Sequence, residues 1–287
     1  MAAITALAPW FGGKRTLAPR IVEALGKHTA YWEPFCGSMA VLFAKPSCSS
    51  ETVNDLHGDL VNLARVIQDE STSVELYRLL YSTLCSETLH REAAERFRER
   101  GNRPCDTKPD VLRAYDYFLC SWNGRNGVAG TVSYNQGFCR RFTKNGGHAA
   151  TRFTSAVESI PTWWERLRSV TVLNDEAIGL IERIEDAPGV SIYCDPPYLV
   201  KGAKYVHDFS AEDHWRLAAA LTRFRHTRVV VSYYDHPLLA ELYPGWQMDR
   251  IEVTKALAHQ GMRGQSGVVK ATEVLLINEK MPLFGSM

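Results

Sequence analysis

The chain has 287 residues, of which 45% are apolar and 23% are charged. That composition is typical of a globular protein and excludes a disordered, collagen-like or coiled-coil chain. Because 33 basic residues balance 32 acidic residues, the net charge is only +1, so any surface that binds a polyanion must be local. At about 150 residues per domain, the length predicts roughly two domains.

The seven cysteines do not form the pattern of a disulfide framework or a zinc site. Their number is odd and none belongs to a C-x-x-C pair, so we expect reduced thiols and no metal. The histidines without metal-like spacing, most of which we expect at the surface, are His57, His90, His148, His207 and His214. No apolar run approaches the about 18 residues of a membrane helix, and no basic start of a signal peptide precedes Lys14. We therefore expect a cytoplasmic protein that does not bind membranes.

The first strand-like runs in chain order end at polar turns. Ala30 to Phe35 leads into a turn that contains Gly37 and opens a helical pattern. Glycine allows a ligand to approach the backbone, and a helix amino end favours electron-rich groups. The strand-like run Glu51 to Val53 is followed two residues later by Asp55. An acid about 20 positions beyond a glycine turn is the usual partner of ribose hydroxyls. Asp59 is a rival for that role, although we expect it to be a solvated helix acid.

The middle of the chain has a different composition. A helical pattern from Val74 to Arg100 precedes a segment rich in glycine and asparagine, and no acid occurs between Asp116 and Glu158. Five cations and no acid give this window a local charge of +5. The cations are Arg125, Arg140, Arg141, Lys144 and Arg152, and aromatic residues are interleaved with them. The pattern fits a solvated loop or a nucleic-acid surface, and we favour the second, because cations bind phosphates while aromatic tips contact bases.

The most informative string is Asp195-Pro196-Pro197-Tyr198, which directly follows the strand-like run Ser191 to Cys194. Two prolines end the strand and fix the backbone, because each φ is locked and neither ring nitrogen can donate a hydrogen bond. The string therefore predicts a rigid turn at the carboxyl end of a parallel strand, where open α/β sheets place their ligands. On its own, it also fits a strand-ending turn with a packed tyrosine.

Strand-like and helical patterns alternate after this string. Ser210 is a candidate N-cap for a helix from Glu212 to Phe224, and the next strand-like run is Arg228 to Tyr234. The alternation predicts βαβ units and a mainly parallel sheet that is covered on both faces.

The last part of the sequence lacks this alternation. Arg250 to Thr254 and Thr272 to Asn278 predict an antiparallel hairpin around a long loop. The loop carries Arg263 and Lys270 and no acid between Lys255 and Lys270. It fits a flexible solvated loop or one that contacts phosphates or encloses a base on DNA, and we favour the second.

In this order, the strings resemble the motifs of the Dam-like family of DNA adenine-N6 methyltransferases, which use S-adenosylmethionine. The matching strings are Trp10-Phe11-Gly12-Gly13-Lys14, Glu33-Pro34-Phe35-Cys36-Gly37, Asp55, Asp195-Pro196-Pro197-Tyr198, Phe209 to Ala218 and Val230 to Tyr233. The resemblance implies an α/β fold with a Rossmann-like, seven-stranded, mainly parallel methyltransferase sheet and an antiparallel C-terminal hairpin. It also implies a mostly helical target-recognition insertion in residues 66–165, between core segments 1–65 and 166–287.

The resemblance further implies roles for individual residues. The implied cofactor-binding residues are Trp10, Gly13 and Lys14 near the methionyl part, Phe35, Cys36, Gly37 and Ser38 beneath the cofactor, Asp55 at the ribose hydroxyls, Asp175 near the adenine amino group, and Asp195. The implied catalytic residues are Asp195, Pro196, Pro197 and Tyr198. The DNA-binding residues that we predict from local charge are Arg125, Arg140, Arg141, Lys144, Arg152, Arg263 and Lys270.

A mechanism follows from the chemistry of adenine. Its exocyclic amine is a poor nucleophile, so Asp195 and the Pro196 carbonyl are expected to accept hydrogen bonds from its two N–H groups. The methyl group is then transferred in line, without a metal. The base must first be flipped out of a duplex at a cost of a few kcal/mol, and stacking on Tyr198 is expected to return about 1 to 3 kcal/mol. The product is then S-adenosylhomocysteine.

The resemblance also implies partners and a setting. Double-stranded DNA is the expected partner, a companion restriction enzyme is an open alternative, and we favour a monomer in the cytoplasm of a bacterium or a phage-infected cell.

The chain departs from the family pattern in two places. Met39 replaces a second glycine in the loop expected beneath the cofactor, and the insertion follows the family only loosely, so the recognised sequence stays open. Cytosine-N4 methylation, RNA adenine methylation, and a catalytically degenerate DNA-binding specificity subunit are the alternatives.

Overall fold

The computed structural model describes residues 4–10, 12–101, 103–124, 137–140, 148–199, 209–255 and 269–278, without the side chains at 254, 255, 269 and 270. Its strands are β1 (Ala30–Glu33), β2 (Ser50–Asn54), β3 (Thr171–Leu173), β4 (Val190–Cys194), β5 (Arg228–Tyr234), β6 (Gln247–Lys255) and β7 (Val269–Ile277). Its helices are α1 (Ala18–Leu25), α2 (Ala40–Ala44), α3 (Gly58–Gln68), α4 (Glu70–Tyr81), α5 (Glu87–Arg100), α6 (Val111–Asn123), α7 (Ala149–Leu167), α8 (Ala177–Glu182), α9 (Ala211–Thr222) and α10 (Leu239–Leu242).

The seven strands form one sheet in the order β3-β2-β1-β4-β5-β7-β6. The first five strands of that order are parallel, and β7 is antiparallel to both β5 and β6. The chain runs from β1 toward one edge of the sheet and from β4 toward the other, so the strand order reverses between these two strands. Open parallel sheets form their ligand crevices at this point. The predicted fold class, with its C-terminal hairpin, is confirmed.

Both faces of the sheet are buried, because alternate side chains of the central strands enter two apolar clusters. On β5, Val230 packs in the cluster formed by α1 to α7, whereas Val229 and Val231 pack in the cluster formed by α8 to α10. Burial on both faces explains why these strands read as continuous apolar runs rather than as alternating ones.

Two helix predictions had different outcomes. The predicted N-cap Ser210 is confirmed: its Oγ accepts from Asp213 N at 3.1 Å, and the Asp213 carboxylate accepts from Ser210 N at 2.9 Å. The single helical stretch from Val74 to Arg100 was wrong, because α4 ends at Tyr81 and α5 begins at Glu87. The connection lacks glycine and proline, so composition gave no signal for a break.

The predicted insertion shares its apolar core with the sheet. Phe118 of α6 and Trp163 of α7 belong to the same cluster as Tyr193 of β4, and the Trp163 indole donates to the Ile4 carbonyl at 2.5 Å. Residue 66 lies within α3 and residue 165 within α7. The division into core and insertion stays a prediction.

A buried ionic cluster joins α3 to the helices that follow it. Asp59 is fully buried and accepts from Arg113 Nε at 2.8 Å, while Asp116 accepts from Arg96 and Arg100. The expectation that Asp59 is a solvated helix acid was therefore wrong. Its partner lies 54 residues away in the sequence, where no spacing rule could connect the two.

Burial also overturns the expectation for several histidines. His57, His90 and His214 are each no more than 3% exposed, whereas His148 is exposed and caps α7. His207 lies outside the described residues. Among the helices of the described ranges, none has the length and apolar composition that spanning a bilayer requires.

Candidate active site

A cavity of about 250 Å³ opens at the carboxyl ends of β1, β2 and β4, where the strand order reverses. The predicted cofactor-binding residues that line it are Trp10, Gly13, Lys14, Phe35, Cys36, Gly37, Ser38, Asp55 and Asp195. Parallel strands bring these strings together because their carboxyl ends meet at one edge of the sheet.

The loop after β1 is held against the end of β2. Gly37 adopts a φ of 44°, and a Cβ at this position would lie 2.9 Å from the Trp10 indole nitrogen, so a side chain would displace the indole. The Gly37 amide donates to Asp55 Oδ2 at 2.8 Å, and the Cys36 amide donates to the Asn54 carbonyl at 2.9 Å. The loop and Asp55 thus face the cavity as one unit.

Asp55 uses both carboxylate oxygens for the backbone and still keeps acceptor capacity. Its Oδ1 accepts from His57 N at 2.9 Å, and its Oδ2 accepts from Gly37 N. A carboxylate offers about four lone-pair positions, so each oxygen can accept one more hydrogen bond from the cavity.

Two asparagines brace the cofactor loops, and the sequence interpretation missed both. Asn54 is 1% exposed; its amide group donates to the carbonyls of Pro34 and Asp175 and accepts from Asp175 N, at 2.8 to 3.0 Å. Asn174 donates to the Asp55 carbonyl at 2.7 Å. The ends of β1, β2 and β3 are therefore fixed relative to one another by neutral hydrogen bonds.

Asp175 does not line the cavity. Its carboxylate pairs with Arg183 at 3.2 Å, with about half of its side chain exposed. The neighbouring Glu176 does line the cavity, and its carboxylate caps α8 by accepting from the amides of Ile178 and Gly179. The cofactor contact of Asp175 stays a prediction.

Asp195 is oriented by one neutral donor and one cation. Ser232 Oγ donates to Oδ1 at 2.8 Å, and Lys14 Nζ lies 3.0 Å from Oδ2. Tyr193 shares a hydrogen bond with Ser232 at 2.9 Å on the buried side. The carboxylate keeps 20% of its side-chain surface exposed, so it is fixed in place and still accessible.

Tyr198 packs beside this carboxylate. Its ring meets Tyr234 edge to face at a centroid distance of 4.5 Å, and Lys14 Nζ lies 4.9 Å from its centroid. Pro197 lines the cavity, whereas Pro196 and Tyr198 lie next to the lining residues in the chain. The two prolines thus place an acid in the cavity wall and an aromatic ring directly beside it.

Glu33 is a further acid in the cavity wall. It is 2% exposed, and Tyr31 donates to its Oε2 at 2.9 Å. Burial, reinforced by the nearby Asp195 charge, raises the pKa of Glu33 to about 8. The available sequence signal was an acid inside a buried strand, which we read only as part of a motif.

Aromatic residues close the cavity on both sides. His57 meets Trp10 edge to face at 5.6 Å, and Phe209 meets Phe35 in the same way at 5.9 Å. The rim also carries an ion pair between Asp213 and Arg216 at 3.1 Å.

Met39 takes the glycine-like conformation of the position that it occupies. Its φ is 60° and its ψ is 29°, and it has the only positive φ among the non-glycine residues of the described ranges. The side chain is fully buried in the apolar core and is not part of the cavity wall. The substitution therefore strains the backbone without occupying the cavity.

The predicted DNA-binding residues lie mostly outside the described ranges, as Arg125, Arg141, Lys144, Arg263 and the side chain of Lys270 do. Arg140 is exposed and pairs with Glu87 at 2.6 Å. Arg152 donates to the carbonyls of Trp122 and Gly124, which ties α7 to the end of α6. Contacts of these residues with DNA stay predictions.

Comparisons with known proteins agree with this arrangement. A family model described as D12 class N6 adenine-specific DNA methyltransferase matches residues 10–258, a range that contains every residue of the cavity wall. A retron Ec67 DNA adenine methylase of Escherichia coli is 26% identical over 278 residues, covering 94% of this chain and 90% of the relative. A DNA N-6-adenine-methyltransferase of Escherichia phage P1 is 25% identical over 263 residues, covering 88% of this chain and 33% of that longer protein.

Proposed function

Because the chain belongs to the D12 class N6 adenine-specific DNA methyltransferase family, we propose that it methylates adenine N6 in double-stranded DNA with S-adenosylmethionine bound in the cavity beside Asp195. One observation carries the proposal: Asp195, Asp55 and the loop Phe35 to Ser38, which are distant in the sequence, line one cavity.

The cavity has the chemistry that this methyl donor requires. Its wall holds the carboxyl groups of Glu33, Asp55 and Asp195, and the methyl donor combines a sulfonium and an ammonium with two ribose hydroxyls. Aromatic faces from Trp10 and Phe35 suit both a purine ring and a cation. When bound, S-adenosylmethionine supplies a methyl group on a positively charged sulfur.

We assign the binding roles by position in the wall. Asp55 accepts from the ribose hydroxyls with the lone pairs that its backbone contacts leave available. The loop from Phe35 to Ser38 supports the cofactor together with Trp10, whose indole lies over Gly37. Lys14, 3.0 Å from Asp195, is assigned to the methionyl end. Asp175 would have to turn away from Arg183 to reach the adenine amino group.

Asp195 and the Pro196 carbonyl hold the acceptor amine. Because Ser232 fixes Oδ1 and Lys14 fixes Oδ2, the carboxylate can accept a hydrogen bond from an N–H group without reorganising. When both N–H groups of the amine donate hydrogen bonds, electron density returns to the adenine nitrogen. The Asp195 carboxylate can then accept the proton that this nitrogen loses on methylation. Holding the reactants in this geometry can contribute about 7 to 11 kcal/mol.

Tyr198 receives the flipped base. The cost of extrusion is a few kcal/mol, and stacking on an aromatic ring returns about 1 to 3 kcal/mol. Packing against Tyr234 and Lys14 holds the Tyr198 ring beside Asp195, the residue expected to bind the amine of the flipped base. The basic residues of the insertion and of the hairpin loop would hold the distorted backbone.

The test is transfer of labelled methyl from S-adenosylmethionine to duplex DNA and, in parallel, to RNA, each of mixed sequence, followed by digestion to nucleosides. We expect label in N6-methyladenine, and none with the Asp195→Ala variant. Label in N4-methylcytosine or in ribonucleosides would contradict the proposal. Binding of DNA without turnover by the parent protein would identify a degenerate specificity subunit instead.

A further inference from the structure

Lys14 lies between two carboxylates. Its Nζ is 3.0 Å from Asp195 Oδ2 and 4.0 Å from Glu273 Oε2, and it donates to the Gly12 carbonyl at 2.8 Å. The side chains of Lys14 and Glu273 are only 5% and 9% exposed. One buried ammonium is therefore shared by the predicted catalytic acid and by an acid from the C-terminal hairpin.

Glu273 is an unusual residue for its place in the sheet. It lies on β7, opposite Tyr234 of β5 and Ile251 of β6, and is followed by the apolar residues Val274 and Leu275. Burying a carboxylate costs several kcal/mol unless a cation lies nearby, and the topology brings Lys14 to this one. Fold stability alone does not call for an acid at this position.

The effect of Glu273 on Asp195 depends on the charged and titratable groups around that carboxylate. Those near Asp195 include Lys14 from the segment before α1, Glu33 from β1, Tyr193 and Cys194 from β4, and Ser232, Tyr233 and Tyr234 from β5, while Glu273 of β7 lies on the other side of the Lys14 ion pair. Burial raises the pKa of Glu33 to about 8 and raises the pKa values of Tyr193 and Tyr234. Glu33 therefore keeps its proton at neutral pH.

We propose that Glu273 is a positioning residue for methyl transfer, which shares Lys14 with Asp195 and so keeps the Asp195 carboxylate a strong acceptor for the adenine amine. This inference rests on the role proposed for Asp195. An ammonium paired with Asp195 alone would withdraw more electron density from that carboxylate and weaken its hydrogen bonds to the amine.

Charge removal on one hairpin provides the test. Glu273→Gln preserves shape and removes the charge, and Glu252→Gln makes the same change at an exposed position of the adjacent strand β6. We expect Glu273→Gln to lower kcat about tenfold, while KM for DNA and for S-adenosylmethionine stays within about twofold. Glu252→Gln should behave like the parent.

A double-mutant cycle tests whether the effect passes through Lys14. In a Lys14→Met background, Glu273→Gln should produce no further loss of kcat, because the shared cation is absent. A full tenfold loss in that background would overturn the proposal. A kcat for Glu273→Gln equal to that of Glu252→Gln would also overturn it.

Folding and the underlying activity are controlled separately. Thermal unfolding identifies a variant that fails to fold, and in that case Glu273→Met removes the same charge with an apolar side chain suited to the strand. We expect the same kinetic signature from it, and parent-like kinetics would refute the role. Absence of adenine methylation by the parent protein would instead reject the proposed function.

Discussion

The two sides of the cavity are held together by different interactions. On the cofactor side, neutral hydrogen bonds from Asn54 and Asn174 join the ends of three strands. On the acceptor side, an ion pair with Lys14 holds Asp195, and the Glu273 carboxylate lies on the other side of the same ammonium. The neutral hydrogen bonds fix geometry and do not change with pH. The charges of Lys14, Asp195 and Glu273, which we call the ionic corner, set how strongly the Asp195 carboxylate accepts hydrogen bonds. The difference suggests that the first side governs affinity and the second governs rate.

The largest expected effect comes from Asp195→Asn, which keeps the shape of the corner and removes its charge. We expect kcat to fall by about 10² to 10³, the usual cost of losing one preorganised electrostatic contact in a transition state. The affinity for S-adenosylmethionine should fall far less, because Asp55 and the loop after β1 are untouched. Single-turnover kinetics and equilibrium cofactor binding measure the two quantities. Parent-like turnover would end the mechanistic proposal.

Asn54→Ala tests the neutral hydrogen bonds on the cofactor side of the cavity. It removes three hydrogen bonds of a buried side chain, at about 1 kcal/mol each, so we expect about 3 kcal/mol less stability in denaturant unfolding. Affinity for S-adenosylmethionine should fall with it, while kcat at saturating cofactor stays close to the parent value.

Asn278→Ala is the matched control for that experiment. Asn278 is also buried, and it makes comparable bonds to the backbone at Val229 and Thr227, away from the cavity. It should lose similar stability and keep its cofactor affinity. Equal loss of affinity in both variants would show that global stability, and not the local brace, controls binding.

The acids of the cavity could be predicted from the sequence more readily than the asparagines that join the strand ends. Asp195 could be found because a rigid string follows a strand, and Asp55 because it follows a glycine turn at a known interval. Asn54 could not be found, because its partner Asp175 lies 121 residues away and a hydrogen-bonding amide leaves no periodic pattern. Glu273 was likewise missed, because it stands at the start of the apolar run Val274 to Ile277 and no local pattern marks it. Strand ends can be predicted from composition, but contacts between them depend on the topology that the folded sheet establishes.

Glu33 provides a prediction for the dependence of stability on pH. Its carboxyl group loses a proton near pH 4.5 in the unfolded chain and near 8 in the fold, because burial raises its pKa. Between these values the folded state binds more protons, so this group lowers the free energy of unfolding by about 1.4 kcal/mol per pH unit as the pH rises.

Glu33→Gln removes this titration. We expect the variant to gain thermal stability over the parent progressively from about pH 5 to about pH 8, and the difference then to level off. The exposed Glu252→Gln should show no such trend. A difference between Glu33→Gln and the parent that does not vary with pH would mean that Glu33 is ionised throughout.

The smallest expected effect concerns the insertion, whose contribution to DNA binding is surface electrostatics rather than cavity geometry. Arg140→Ala, alone or with Arg141→Ala, should weaken DNA binding and reduce its salt dependence by about 0.9 log unit for each phosphate that the variant no longer neutralises. Because Arg140 pairs with Glu87 and an exposed pair contributes only about 0 to 1 kcal/mol, DNA can displace the acid readily. Glu87→Gln should therefore change affinity in the opposite direction, with a modest gain at low salt. If neither variant alters the slope of binding against salt, Arg140 does not contact DNA and the acid-free window is a solvated surface.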